Sequence, residues 1–337
     1  MSESPDREPG SLPTEYVTFF DSLYLPQGLA LYGSLRRLGL PFRLAVYAMD
    51  SDTVRVLGTL NLPFLEVLDA WQALPDEFTS LRRERDWVPL LWTSTPFVIS
   101  SRLKDLNEGQ ALYYVDADMA LLQDPLPVLR DFEDSPASVL ITAHHFAPEY
   151  EAADTVGEFA VQFLGVRRGG AESVLASWAE QCLRSCPYTP EPGAFGDQKY
   201  LDDWPRDFPR EVRVASQPEW FQGPWNATRF PPSEAIAYHF HGLRLVGDDR
   251  VLLTTHYRLP EATVDVIYRP YVQALLAATR MVASTGFHVR DQAPRLRMRT
   301  RARLAAEQAM SLSGASAGRR YLPLRERRGE PTLWGAR

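Results

Sequence analysis

Two cysteines, Cys182 and Cys186, are all that 337 residues contain, too few for a disulfide framework or a cysteine-rich zinc site. Set four apart in a helical pattern, they read as reduced thiols on a packed helix. No run of eighteen apolar residues occurs, so no segment reads as a membrane-spanning helix. Residues 1–13 are polar and acidic, lack the apolar core of a secretion signal and are expected to be disordered. A cytoplasmic location is the expectation. No internal repeat is visible, and the one low-complexity tract is Ser311 to Gly318. What the chain has in quantity is apolar side chain: 45% of its residues are hydrophobic, enough to bury a large core.

Charge is unevenly placed. The net charge of -7 argues against bulk nucleic-acid binding. From Asp265 to Arg337 there are fourteen arginines, no lysine and five acids, a balance of +9 that leaves -16 for the first 264 residues. The basic part suits either a solvated tail or a peripheral contact with anionic lipid headgroups at the inner face of the membrane. Arg295, Arg297, Arg299, Arg301 and Arg303 recur at every second residue and would wrap around a helix, which weakens the amphipathic-helix reading. Interleaved aromatics are missing, so no nucleic-acid partner is expected.

The first third alternates strand and helix signals. Tyr16 to Phe20, Phe42 to Met49 and Leu65 to Leu68 read as strands, and Leu29 to Leu38, with Arg36 and Arg37 outward, and Thr53 to Leu60 read as helices. A βαβαβ order predicts a largely parallel sheet covered by helices on both faces. Thr93 to Leu106 continues as helix and Ala111 to Val115 as an apolar strand. Further strands are expected at Ser138 to Ala143 and Val161 to Val166. An amphipathic helix follows at Ala171 to Cys186, with Val174, Leu175, Trp178, Cys182 and Cys186 in one stripe. Pro187 to Gly196 is a loop, and Ala235 to Phe240 is expected to be the last strand.

The strand Ala111 to Val115 ends abruptly in Asp116-Ala117-Asp118. In an open parallel α/β sheet ligands bind at the carboxyl ends of the strands. Two carboxylates one residue apart at such an end can share a divalent cation, and hard oxygen ligands suit magnesium or manganese. Charge squeezed between the apolar runs Tyr113-Tyr114-Val115 and Leu121-Leu122 is expensive unless paired or metal-bound. His239 and His241, flanking Phe240 beside Tyr238, compete for the place of a third ligand. His144-His145 reads as a solvated loop pair. Trp92, Trp220 and Trp225 are candidates for core packing or for stacking on a sugar or base.

With the D-x-D goes an ordered set of further landmarks. They are F-F-D-S-L-Y-L around Asp21, W-T-S-T-P from Trp92, G-D-Q-K-Y-L-D-D-W from Gly196, P-W-N from Pro224 and Y-H-F-H-G-L-R from Tyr238. Over roughly residues 15 to 275 this set resembles the GT-A glycosyltransferases, specifically the glycogenin-like (family 8-type) nucleotide-diphospho-sugar transferases and their bacterial subgroup. The resemblance implies a Rossmann-like, mostly parallel sheet in a catalytic domain over 14–264. A helical extension over 265–310 and a basic tail over 311–337 would follow. It implies transfer of a hexose from a nucleoside-diphosphate sugar, in the first place a UDP-sugar, with Mn2+ or Mg2+ and retention of configuration. The acceptor stays open among a glycan, a lipid-linked sugar, a protein and a small molecule.

Carried over residue by residue, the resemblance makes Asp116, Asp118 and His239 the metal ligands, with Asp116 also touching ribose. Phe20, Asp21, Trp92, Ala117 and Arg244 would border the nucleotide, Arg244 clamping the diphosphate. Asp197 would hold sugar hydroxyls, Gln198 would sit under the anomeric carbon as its catalytic partner, and Trp225 and Asn226 would meet substrate. Leu23 stands where many relatives have a polar residue, and Ala160 where an asparagine is common. These departures keep a second reading open, a catalytically silent nucleotide- or glycan-binding protein of the same fold.

Overall fold

The computed structural model describes residues 13–247, 250–293, 321–323 and 334. The expectations for residues 1–12, for Arg295 to Arg303, for Ser311 to Gly318 and for most of the basic tail lie outside the described residues. Strands β1 (Thr14–Phe20), β2 (Phe42–Ala48), β3 (Leu65–Asp69) and β4 (Ala111–Val115) come first, followed by a short β5 (Met119–Leu121). Next are β6 (Val139–Ala143), β7 (Phe159–Arg167) and β8 (Val212–Val214). The central sheet has seven strands in the order β3-β2-β1-β4-β7-β6-β8. All neighbours are parallel except β7, which runs against both β4 and β6. This is the mostly parallel, Rossmann-like α/β sheet expected from the sequence.

Strands buried on both faces explain the continuous apolar runs. Tyr16, Leu44, Val46, Tyr113 and Val115 face one cluster, with the helices Leu25–Leu38, Ser51–Leu60 and Leu126–Glu133. The alternate residues Val17, Ala45, Tyr47, Leu112 and Tyr114 face the helices Trp87–Lys104 and Glu172–Arg184. Cys182 and Cys186 are free and buried. No described helix is long and apolar enough to cross a membrane.

The helix Leu25–Leu38 begins four residues before the expected start, with Pro26 in its first turn, and Gly39 closes it at φ 69°. It is buried from Leu25 to Leu35, with the helix Arg269–Ser284 packed against it. Arg37 therefore does not point outward. Its Nη2 donates to the carbonyls of Leu121 at 3.2 Å and Leu122 at 2.8 Å, so what reads as a solvated face is a contact with the turn after β5. At Gly28 a Cβ would lie 2.4 Å from the Phe20 ring, so only glycine lets the helix approach β1 this closely.

The strand expected last is shorter and is not the last. Ala237–His239 is β10, in a second sheet ordered β5-β10-β9, where β9 is Phe221–Gln222. Three-residue strands β11 (Arg244–Val246), β12 (Arg250–Leu252) and β13 (Tyr321–Pro323) follow and form a third sheet. Segments this short carry no periodicity to read. Gln292 joins the N-terminal half to this region. Its Nε2 donates to Leu23 O at 2.6 Å, while its Oε1 accepts from Gln27 Nε2 at 3.0 Å and Leu245 N at 3.1 Å.

Candidate metal and nucleotide site

The site grows from the end of β4. The Asp116 amide donates to Gln162 O on β7, and the Met119 amide donates back to Asp116 O, both at 3.0 Å, which turns the chain into β5. β5 then pairs antiparallel with β10, setting His239 opposite Met119, and the Phe240 amide donates to Asp118 O at 2.9 Å. A residue more than a hundred positions away is brought to the two aspartates by backbone pairing alone.

His239 Nε2 lies 3.0 Å from Asp118 Oδ1 and 3.9 Å from Asp116 Oδ2. One ligand atom from each residue falls within 4.8 Å of the others. Ligands about 2.1 Å from a shared octahedral ion are about 3.0 Å apart when adjacent and about 4.2 Å when opposite, so the three side chains fit a magnesium- or manganese-sized cation. His239 Nδ1 is buried without a hydrogen-bond partner, so Nε2 carries the ring's polar contact toward the carboxylates. His241 stands beside it, with ring centres 5.6 Å apart.

The two aspartates are driven apart electrostatically. Burial works to raise Asp118, but the charge and hydrogen bond of His239, with the charges of His241 and Arg244, hold it down to about 2. Burial raises Asp116, and the Asp118 charge adds to this against the pull of His239 and the Tyr114 hydroxyl. Burial pulls His239 down, yet Asp118 and Asp116 outweigh it and leave the imidazole raised.

Asp197 is buried nearby. Its Oδ2 accepts from Thr95 Oγ1 at 2.7 Å, and its backbone carbonyl accepts from Trp178 Nε1 at 2.8 Å. Burial, reinforced by the Asp116 charge, pushes its carboxyl up to about 7 against the Thr95 hydrogen bond. Gln198 follows it and donates Nε2 to Val156 O at 2.7 Å. Gly196 precedes it at φ +54°, pressed on the Trp92 ring, which in turn stacks on Tyr188.

On the β1 side, Asp21 caps the following turn through Leu23 N at 3.1 Å and accepts from Trp87 Nε1 at 2.7 Å. Burial raises its carboxyl against the Trp87 hydrogen bond. Phe20 is buried under Gly28, and Ala117 is buried between the two aspartates. The Arg244 guanidinium lies 5.9 Å from the centre of the Tyr24 ring and donates to Leu243 O at 2.7 Å. Trp225 is buried edge-on to His239, its Nε1 donating to His144 O at 2.9 Å. The Asn226 amide is spent on Gly223 N, His144 O and Phe221 O, which fixes the loop carrying Trp225. Trp220 packs against the first apolar cluster.

His144 is not solvated. It is 5% exposed, stacked on Phe146 and edge-on to Trp225, and burial pushes it down to about 3, so it sits in the core as a neutral ring. Four groups of this region escape the sequence reading: Thr95 on Asp197, Trp87 on Asp21, Tyr24 under Arg244, and Tyr114, whose hydroxyl donates to Asp116 Oδ1 at 2.6 Å. Thr95 and Tyr24 lie inside the W-T-S-T-P and F-F-D-S-L-Y-L runs without a role being read for them, and Tyr114 leaves a trace because residues two apart on a strand share a face.

Fold and side chains together define an α/β protein with a candidate divalent-cation site at the carboxyl edge of its sheet. No protein-family model matches the chain. It is 27% identical over 261 residues to the uncharacterized protein YfnF of Bacillus subtilis (strain 168), covering 71% of this chain and 85% of that protein. It is 24% identical over 248 residues to the uncharacterized protein YfnD of the same organism, covering 68% and 78%. Among solved structures it is similar to the apo form of mouse xyloside xylosyltransferase 1, with 12% identity and a TM-score of 0.45 over 68% of this chain and 98% of that one. It is also similar to the galactosyltransferase LgtC in complex with donor and acceptor sugar analogs, with 14% identity and a TM-score of 0.44 over 86% and 99%.

Proposed function

We propose that the protein is a metal-dependent glycosyltransferase that moves a hexose from a nucleoside-diphosphate sugar, in the first place a UDP-sugar, to an acceptor. The observation that carries the reading is the gathering of Asp116, Asp118 and His239 within 4.8 Å where β4 leaves the sheet. These residues would hold Mn2+ or Mg2+, and the bound ion supplies neutralisation of the charge that builds on the departing diphosphate. Arg244, steered by Tyr24, adds a second positive group on the same side. Asp21 and Phe20 border the nucleoside end. Asp197, whose carboxyl is pushed up to about 7, can in its protonated form donate as well as accept a hydrogen bond to sugar hydroxyls. Trp225 walls the site and, through its bond to His144 O, keeps the His239 ring in place.

The test is a panel of nucleotide sugars incubated with the purified protein and manganese, read by mass spectrometry for hydrolysis or transfer, beside calorimetry with UDP and manganese. Turnover of at least one donor that requires the metal is expected. Absence of both turnover and UDP binding would overturn the proposal, while UDP binding with no turnover across the panel would favour the silent binding protein.

A further inference from the structure

The helix Trp87–Lys104 starts at the carboxyl edge of the sheet, where Trp87 Nε1 reaches Asp21 beyond β1. Arg85, just ahead of it, donates to the carbonyl of Cys182 at 2.7 Å, so the end of the helix Glu172–Arg184 comes out beside that start. The chain from Pro187 to Gly196 therefore emerges at the same edge as the candidate site. Its own backbone ties it into shape: the Gly196 amide donates to Pro187 O at 2.9 Å, and Glu191 and Ala194 exchange amide bonds at 2.9 and 3.1 Å. The Tyr200 hydroxyl holds the approach to the loop through Ser185 O at 2.7 Å.

This loop sets Tyr188 flat on Trp92, with ring centres 5.5 Å apart and planes 6° from parallel. Trp92 is itself braced: a Cβ on Gly196 would lie 3.1 Å from its indole, and Phe195 leans on it at 5.9 Å. Tyr188 nevertheless keeps 64% of its surface exposed, the largest share of any large hydrophobic side chain among the described residues. Trp92 takes one face of its ring, so the open surface is the opposite face and the rim. Isolated exposed apolar residues are ordinary. An aromatic ring stacked in parallel on a second one, and carried by a loop closed on itself, is instead a fixed plate. The plate is joined to the proposed reacting centre. Asp197 follows Gly196 directly, and Thr95, one turn after Trp92 on the same helix, donates to Asp197 Oδ2 at 2.7 Å.

The face of an aromatic ring is apolar and carries partial negative charge. Its complement is a partner with a flat face of C–H groups and hydroxyls around the rim, which is the build of a pyranose ring. A nucleobase can also stack on such a face, but the nucleoside end is read at Asp21 and Phe20, whereas the plate is joined to Asp197, where sugar is held. An acyl chain draws its affinity from one methylene after another and needs a long trough, not a single ring. We propose that Tyr188, backed by Trp92, stacks on a pyranose ring of the acceptor, so that the molecule receiving the hexose is itself a saccharide. This rests on the glycosyltransferase reading above and names the class of its acceptor.

The test compares wild type with Tyr188→Ser and Tyr188→Phe in the presence of UDP and manganese. Saturation-transfer NMR is recorded with glucose, galactose, N-acetylglucosamine, maltose, lactose and cellobiose in turn, and any sugar that binds is then offered as acceptor with a donor that wild type turns over. Wild type should bind at least one of them, with the strongest saturation at C–H protons of one ring face. In Tyr188→Ser the dissociation constant of that sugar and its KM as acceptor should both rise roughly tenfold, whereas Tyr188→Phe should stay within about twofold of wild type. Affinity for UDP alone should be the same in all three proteins, and Tyr188→Ser should melt close to wild type because the ring is mostly exposed. Binding of none of these sugars to wild type, a bound sugar that receives no hexose, an unchanged acceptor KM in Tyr188→Ser, or an equal loss of UDP affinity would each overturn the role of Tyr188 while leaving the glycosyltransferase reading intact. A wild type that neither binds UDP nor turns over any donor would overturn both.

Discussion

Two clusters of charge sit at opposite ends of the same central sheet and are built on opposite plans. At the amino end, Glu15 of β1 meets Arg102 at 3.1 Å and Arg43 of β2 at 3.5 Å, and Arg102 also reaches Glu66 at 3.0 Å and Asp105 at 3.6 Å. Each buried charge there has an opposite charge in contact. At the carboxyl end, Asp116, Asp118 and Asp197 share one neighbourhood, and the imidazole of His239 is the group placed among the first two. Buried charge that is balanced internally fixes the fold, whereas buried charge left in excess waits for something from outside.

The contrast can be broken by substitution. Asp118→Ala should lower any metal-dependent turnover by about 10³-fold or more. It should also abolish the rise in melting temperature that manganese gives wild type; a variant still stabilised by manganese would remove Asp118 from the ion's ligands. Arg102→Met leaves Glu15 buried beside one exposed arginine, and urea unfolding should show a loss of about 3–5 kcal/mol. The folded fraction should keep its affinity for UDP, because that cluster takes no part in the site.

Asp197 sharpens the comparison through pH. With its carboxyl pushed up to about 7, the folded state holds a proton that the unfolded chain releases near its ordinary value. This group favours folding fully below about pH 4, and the advantage is lost as pH rises through about 7. Asp197→Asn, which cannot ionise, should match wild type near pH 4 and exceed it by about 4 kcal/mol at pH 8 in metal-free buffer. Chemical denaturation across that range checks it, and a constant gap would show that the carboxyl is not neutral in the fold. The smallest effect is expected from Arg43→Met, below about 1 kcal/mol, because its side chain is 64% exposed and Glu15 keeps Arg102.

Legibility in the sequence followed range and repetition. Ala111–Val115 is read to the residue, since an apolar run that stops at an acid is a local signal. The helix Leu25–Leu38 is read from Leu29, because Pro26, Gln27 and Gly28 break the periodicity although their burial is as complete as that of the leucines. The solvated reading of Arg37 fails because the carbonyls it meets, those of Leu121 and Leu122, lie more than eighty residues on. Asp116 and Asp118 stand out by their contrast with flanking apolar residues.

The three polar contacts of the Gln292 side chain make the turn that carries Asp21 and the hairpin that carries Arg244 one mechanical body, held from Leu23 to Leu245 by a single amide. While that clasp is shut, the two walls stay tied to each other. Slow isotope exchange at the Leu245 amide would then serve as a clock for its opening, read at a position remote from the aspartates.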